Sequence, residues 1–388
     1  MTDKKKVVHM TTVHHPFDTR IYHKECQSLQ QAGFDVSLIT QIDPKAIPEN
    51  EDIHFIPLKK RKRRLQRMLL STWEAYRKAK RTKADCYHIH DPELLPVGWL
   101  LKTKDNTVIY DIHEDYVTSI TQKDYMIKIA RSFFARVYQF AEKLFSRKMN
   151  LCLAEKYYAD KYPNGICILN YPKINDKLMS VSKESQPIED KLLYTGNVSV
   201  DRGAFIHARL LTLDPSITIH CIGKCPGSLA QEMATLAGDE ADRLHIEGID
   251  TFIEREAIDD KYIERNWLAG LALFPPTEHY MRKELTKFFE YMVAEIPIIC
   301  SDFPVWRAFM ERYECGLAVN PDNADEVRNA IRYLRENPNE ARRMGHNGKR
   351  AVMEKLNWKH EAKILIHWYN DLLGTSATGA SPESLNME

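Results

Sequence analysis

Short runs rich in β-branched and other apolar residues alternate along this chain with longer stretches whose apolar positions recur every three to four residues. That alternation predicts strands and helices in turn, the pattern of α/β folds built on parallel sheets. In a first series, residues 7–12, 35–40, 86–90, 107–112, 150–154 and 166–169 read as strands, and 20–32 reads as a helix ended by Gly33. Residues 125–149 form a long, basic amphipathic helix in this reading. Residues 171–190 are polar, carry Pro172 and Pro187 and have no hydrophobic period, which marks a linker. A second series follows, with strands at 191–195, 217–222, 244–247, 270–274 and 296–300 and helices at 324–337, 340–354 and 358–373. The pattern therefore predicts an N-terminal Rossmann-like domain over 1–172, a linker over 173–190 and a second domain over 191–357. A last helix over 358–373 and a polar, disordered tail over 374–388 complete it.

Composition fits this picture. A chain of 388 residues, 44% hydrophobic and 28% charged, is long enough for two α/β cores. No window approaches the roughly 18 apolar residues of a membrane span, and no signal-peptide core is visible at the start. Eight scattered cysteines, several in strand-like runs, read as buried free thiols in a reducing, cytoplasmic setting. Net charge is +1, yet residues 1–186 hold 32 Lys/Arg against 22 Asp/Glu, so one half is basic and the other acidic. Such asymmetry suggests a face that meets something anionic.

The stretch 283–302, Lys-Glu-Leu-Thr-Lys-Phe-Phe-Glu-Tyr-Met-Val-Ala-Glu-Ile-Pro-Ile-Ile-Cys-Ser-Asp, runs from a loop through a short helix and a tight turn into a buried strand. Lys287 and Glu290 share a helix face. This stretch resembles the donor-binding signature of glycosyltransferase family four, in which the Glu before Tyr-Met accepts hydrogen bonds from the two ribose hydroxyls of a nucleotide sugar. Glu290 stands there. Two positions depart from the pattern: Arg282 stands where many members carry a further Glu, leaving Glu284 and Glu278 as the nearest carboxylates, and Glu295 replaces the usual Gly. The segment 193–203, Leu-Tyr-Thr-Gly-Asn-Val-Ser-Val-Asp-Arg-Gly, resembles the family's diphosphate loop. Gly196 ends the strand, Arg202 takes the usual Lys position, and Asn197 replaces the usual Arg.

Three N-terminal segments resemble the same family. His14-His15-Pro16-Phe17-Asp18-Thr19-Arg20-Ile21 with Lys24-Glu25 opens the first helix, where Asp18, Arg20 and Lys24 could face phosphate or acceptor; a plain capped helix start is the alternative. His88-Ile89-His90-Asp91 ends a strand and suggests either a metal or, with His90, a shaped acceptor side; no further cluster completes a metal pattern, so no metal is expected. Tyr110-Asp111-Ile112-His113-Glu114-Asp115 resembles the motif whose His lies beside the donor sugar, which makes His113 the expected reaction-centre histidine and Glu114 an acceptor-side group.

Lys59, Lys60, Arg61, Lys62, Arg63, Arg64 and Arg67, followed by Leu69, Leu70 and Trp73, read as an interfacial segment on anionic lipid rather than as a nucleic-acid surface. The resemblance implies a GT-B fold, two Rossmann-like domains facing a cleft with a C-terminal helix crossing back. It also implies transfer of a hexosyl unit, with retained configuration, from a nucleoside-diphosphate sugar (UDP the commonest) to an acceptor hydroxyl, lipid-linked acceptors included. The expected setting is cell-surface polysaccharide or glycolipid synthesis at the inner membrane face, with the sugar nucleotide as co-substrate and no cofactor. Arg202 and Lys287 would stabilise the leaving diphosphate. A sugar-nucleotide epimerase of the same fold and a non-catalytic nucleotide-sugar or membrane binder are the alternatives. A dinucleotide oxidoreductase is disfavoured, because no Gly-x-Gly-x-x-Gly follows a strand.

Overall fold

A computed structural model describes residues 4–49, 52–61, 63, 66–113, 128–174, 176–179 and 186–375. The chain divides into two compact units, Met1–Asn170 with Trp358–Glu388, and Tyr171–Asn357. The expected tail beyond residue 375 and the start of the long basic helix, 125–127, lie outside the described residues; the helix itself is present as Lys128–Ser146.

The first unit is a seven-stranded parallel sheet, order β3-β2-β1-β4-β5-β6-β7. Its strands are β1 (Lys6–Met10), β2 (Asp35–Thr40), β3 (His54–Pro57), β4 (Cys86–Ile89), β5 (Thr107–Ile112), β6 (Asn150–Leu153) and β7 (Ile166–Cys167). β3 escaped the sequence reading: four residues ending in proline carry too little pattern, and proline is tolerated at this sheet edge. Alternation along the strands makes two cores. Val8, Met10, Tyr87, Ile89, Val108, Tyr110 and Ile112 point into one. Val7, Cys86, Ile109 and Cys152 point into the other, which is closed by Ile21 and Leu29 and by Trp358, Leu365, Trp368 and Tyr369 of the helix Trp358–Leu373. The last helix thus returns to the first unit because its apolar face completes that core; the Trp358 indole also donates to Ser28 Oγ at 2.9 Å.

The second unit is a six-stranded parallel sheet, order β10-β9-β8-β11-β12-β13. Its strands are β8 (Glu189–Thr195), β9 (Thr218–Cys225), β10 (Leu244–Ile249), β11 (Trp267–Ala272), β12 (Ile298–Ser301) and β13 (Gly316–Val319). All six residues of β11 are buried, the mark of a central strand covered on both faces. The short edge strand β13 was not anticipated. In each sheet the strand order reverses once beside the first strand, between β1 and β4 and between β8 and β11. Open α/β sheets bind ligands at the carboxyl ends of the strands flanking that point.

Candidate functional site

In the second unit the switch point gathers the expected donor residues. β8 ends at Thr195, and Gly196 follows at φ 95°. Gly203 sits at φ 82° with the Leu273 carbonyl where a Cβ would stand, 1.8 Å away, so no other residue fits there. It caps the helix Ala204–Leu213. From the helix Thr286–Val293, Lys287 sends its ammonium over the Tyr194 ring, 3.7 Å from the centroid, and 4.9 Å from that of Phe274. Its Nζ is buried with no hydrogen-bond partner. Burial, reinforced by the nearby Arg202 charge, holds this lysine well below its usual range. Arg202 is half-buried, and its Nε donates to the Tyr280 hydroxyl at 3.0 Å. The switch point is thus lined by an ammonium with no hydrogen-bond partner, set over two aromatic rings, and a guanidinium held by the Tyr280 hydroxyl.

Glu290 lies one turn along from Lys287 and is already engaged. The Tyr262 hydroxyl donates to its Oε2 at 2.7 Å, and Arg255 donates to Oε1. Neither partner was foreseen. Arg255 stands 35 residues away on the polar helix Arg255–Glu264, and nothing local to it distinguishes it from a surface arginine. Tyr291, next along, pins the two central strands: its hydroxyl reaches the carbonyls of Leu193 and Leu271 at 3.1 and 3.2 Å and accepts from the Thr195 amide. Glu284 accepts from Tyr171 at 3.4 Å. Asn197 contributes its backbone carbonyl to the Tyr194 hydroxyl at 2.8 Å. Glu295, in place of the usual Gly, adopts φ 56°, and its carboxylate pairs with Lys349 at 2.6 Å and His346 at 3.0 Å, which offsets the left-handed strain.

In the first unit the switch point is lined by histidines and carboxylates. His113 is turned so that Nδ1 lies 2.9 Å from Asp111 Oδ2 and Nε2 lies 2.9 Å from the His90 carbonyl. His14, 5.0 Å from it between ring centroids, pairs with the buried Asp91 at 2.9 Å. Asp91 also accepts from the Thr12 amide and the hydroxyls of Thr11 and Thr12.

Three expectations need correction here. Arg20 does not face phosphate: it is buried, its Nε and Nη2 donate to Asp111 at 2.9 and 2.8 Å, and its Nη1 donates to the Ile168 carbonyl. Burial opposes its charge, but Asp111 and Glu25 hold it in the charged form. Lys24 donates to the Asn170 side chain at 2.7 Å. His90 is fully buried rather than on an acceptor surface, and burial pushes it down to about 4. Asp18 caps the helix start, accepting from the amides of Arg20 and Ile21 at 2.8 and 2.9 Å, the plain alternative weighed for it. Glu114, Lys62 and Arg64 lie outside the described residues.

The basic run is carried beside the helix Thr72–Thr82. Lys59 and Lys60 are exposed; Arg61 pairs with Glu74 at 2.9 Å and Arg67 with Glu93 at 3.4 Å. Leu69, Leu70 and Trp73 stand exposed next to them at 70%, 51% and 56%, an apolar face left without cover among the described residues.

Two parallel-sheet α/β units in tandem are the architecture of the GT-B fold. Residues 19–156 match the family model described as Glycosyltransferase Family 4, and residues 286–351 match that of Glycosyl transferases group 1. The chain is a glycosyltransferase of the GT-B fold, similar to family four. Among solved structures, sucrose-phosphate synthase from Thermosynechococcus elongatus superposes with a TM-score of 0.71 at 19% identity, over 96% of this chain and all of that one. A glycosyltransferase from Rickettsia africae gives 0.68 at 12%, with the same coverage. The Anabaena protein HepE, solved in complex with UDP, gives 0.66 at 10%, again over 96% and 100%. No curated protein matches the sequence. Among the described residues, no helix is long and apolar enough to cross a membrane.

Proposed function

We propose that this enzyme transfers a hexosyl unit from a nucleoside-diphosphate sugar, UDP-linked as in the HepE complexes, to an acceptor hydroxyl with retention of configuration. The observation that carries this reading is the buried Lys287 ammonium, which has no hydrogen-bond partner of its own and lies at the switch point beside Arg202. An isolated buried cation is costly unless something anionic completes it. A diphosphate does so, and the same two cations would stabilise the charge that grows on the leaving group. In this reading Glu290 holds the ribose, Tyr262 keeps its carboxylate oriented, and Arg255 gives up its contact when the hydroxyls arrive. Gly196 lets the backbone approach the phosphates, and His113, held by Asp111, stands on the sugar side.

A thermal-shift series with UDP, GDP, CMP and ADP and their sugar conjugates tests the donor. One nucleoside diphosphate at about a hundredfold excess over its Kd should add about 2.7 kcal/mol of stability. In Glu290→Ala that shift should fall by more than half, because two charge-assisted hydrogen bonds are gone. An unchanged shift in the variant, or no shift in the native protein with any nucleotide, would remove this assignment.

We further infer that the acceptor is presented at an anionic membrane surface, in cell-surface polysaccharide or glycolipid synthesis. Exposed Leu69, Leu70 and Trp73 beside Lys59, Lys60 and Arg63 support this, since such a mixed face suits the boundary of acidic headgroups and acyl chains. Sedimentation with vesicles containing phosphatidylglycerol should retain the protein at low salt. Leu70→Glu/Trp73→Glu should release it, and equal binding by the variant would count against this face.

A further inference from the structure

The first unit contains a polar cluster that sugar transfer does not use. His9 on β1, His88 and His90 at the end of β4, and Glu25 from the helix Ile21–Cys26 are all fully buried. The parallel register sets His9 opposite His88, and the two-residue repeat of a strand puts His90 on the same face. Glu25 Oε2 lies 3.9 Å from His9 Nδ1, 3.8 Å from His88 Nδ1 and 3.9 Å from His90 Nε2. Those separations are too long for hydrogen bonds. Glu25 Oε1 pairs with Arg20 Nε at 3.1 Å, while Glu25 Oε2, His9 Nε2 and His88 Nε2 have no hydrogen-bond partner. A purely hydrogen-bonded interior network would satisfy its members.

We propose that His9, His88, His90 and Glu25 form a structural site for one divalent transition-metal ion, zinc first. Three imidazoles and a carboxylate are the donors zinc takes, and ligands about 2.0–2.2 Å from a tetrahedral zinc lie about 3.3–3.5 Å from one another. The observed spacings bracket that figure: 2.9 Å between His9 Nδ1 and His90 Nε2, and 3.8–3.9 Å to Glu25. Asp111 supports the geometry. Its carboxylate, kept ionised by Arg20 and His113 against the effect of burial, accepts from His90 Nδ1 at 3.0 Å, so the lone pair of His90 Nε2 faces the cluster. Metal-bound imidazoles are commonly oriented by such a carboxylate. Two neighbouring groupings that include Asp111, with His88 and Cys152 or with His90 and His113, are poorer sites because Arg20 already takes both Asp111 oxygens.

Coordination is balanced simply. Without the ion His9 Nδ1 donates to His90 Nε2 at 2.9 Å; as the ion enters, that proton moves to His9 Nε2, His88 carries its proton on Nε2, and Glu25 binds as the carboxylate, any proton on it passing to solvent. With four protein ligands the site has no open position, so it fastens β1, β4 and the first helix together rather than activating water. Tyr369 of the last helix lies 2.7 Å from His88 Nδ1, and its hydroxyl gives up that contact when the nitrogen's lone pair takes the ion.

The test uses the full chain made without a polyhistidine tag. After exchange into metal-free buffer, plasma mass spectrometry should find about one zinc per chain. Unfolding with chelator and refolding with Co²⁺ should give the visible absorption of four-coordinate cobalt. Prolonged chelation should lower the unfolding midpoint, and zinc should restore it. Glu25→Gln should lose the metal, while His346→Gln, an exposed histidine, should keep it. If Glu25→Gln does not fold, the native chain still decides: less than about 0.1 equivalents of metal, with the same midpoint with or without zinc or cobalt, overturns the site.

Discussion

Replacing Lys287 with methionine is expected to cost about 10²–10³-fold in kcat/KM, or about 2.7–4 kcal/mol of transition-state stabilisation, while leaving the protein as stable as before or more so. The two effects separate if, as proposed, the ammonium meets the diphosphate, since it makes no hydrogen bond that the fold would lose. Its Nζ is buried, makes no hydrogen bond, and lies over the rings of Tyr194 and Phe274. Methionine keeps the apolar stem and removes an unpaired interior charge. The pH dependence supplies the sign. Burial, and then Arg202, hold this lysine below its ordinary 10.5, so the folded protein binds fewer protons than the unfolded chain. Its contribution to stability therefore rises with pH through the window below 10.5, and that slope should be absent in Lys287→Met. Steady-state kinetics beside urea unfolding at several pH values measure both. A variant that loses stability and activity together would make Lys287 a structural residue.

The second large effect belongs to the first unit. Arg20→Met should destabilise the protein by about 3–5 kcal/mol, because it leaves Asp111 charged, buried and stripped of its two-pronged partner. Arg20→Met/Asp111→Leu should recover much of the loss, since an apolar pair of similar volume replaces a buried ion pair at little cost. Urea denaturation of the three proteins gives the coupling directly. A loss under about 1 kcal/mol in the single variant would mean that water reaches Asp111, contrary to its complete burial.

Both effects rest on residues the sequence reading singled out, and for one of them, Arg20, the structure contradicts the expected role. Lys287 was legible because the helix spacing to Glu290 and the buried strand behind it are local. Arg20 was expected on the phosphate or acceptor side from its place at a helix start, where cations and anions often meet. Asp111, its real partner, is 91 residues away and comes beside it only when β5 joins the sheet. Separation along the chain likewise hid Arg255 from Glu290, 35 residues on, and His9 from His90, 81 residues on, with His88 beside it. A strand-end histidine looks alike in sequence whether it faces solvent or the interior.

The sequence alone determined the alternation of strands and helices, the two α/β series and the last helix. Those depend on periodicity and on glycine and proline punctuation within about a dozen residues. It also carried the donor-side motif and the basic run. Only the tertiary structure decided which strand lies beside which, that the last helix completes the first unit's core, and which charges are paired in the interior. Strand order and burial are properties of contacts between distant segments, and a charge's partner is whatever the fold brings within about 4 Å of it.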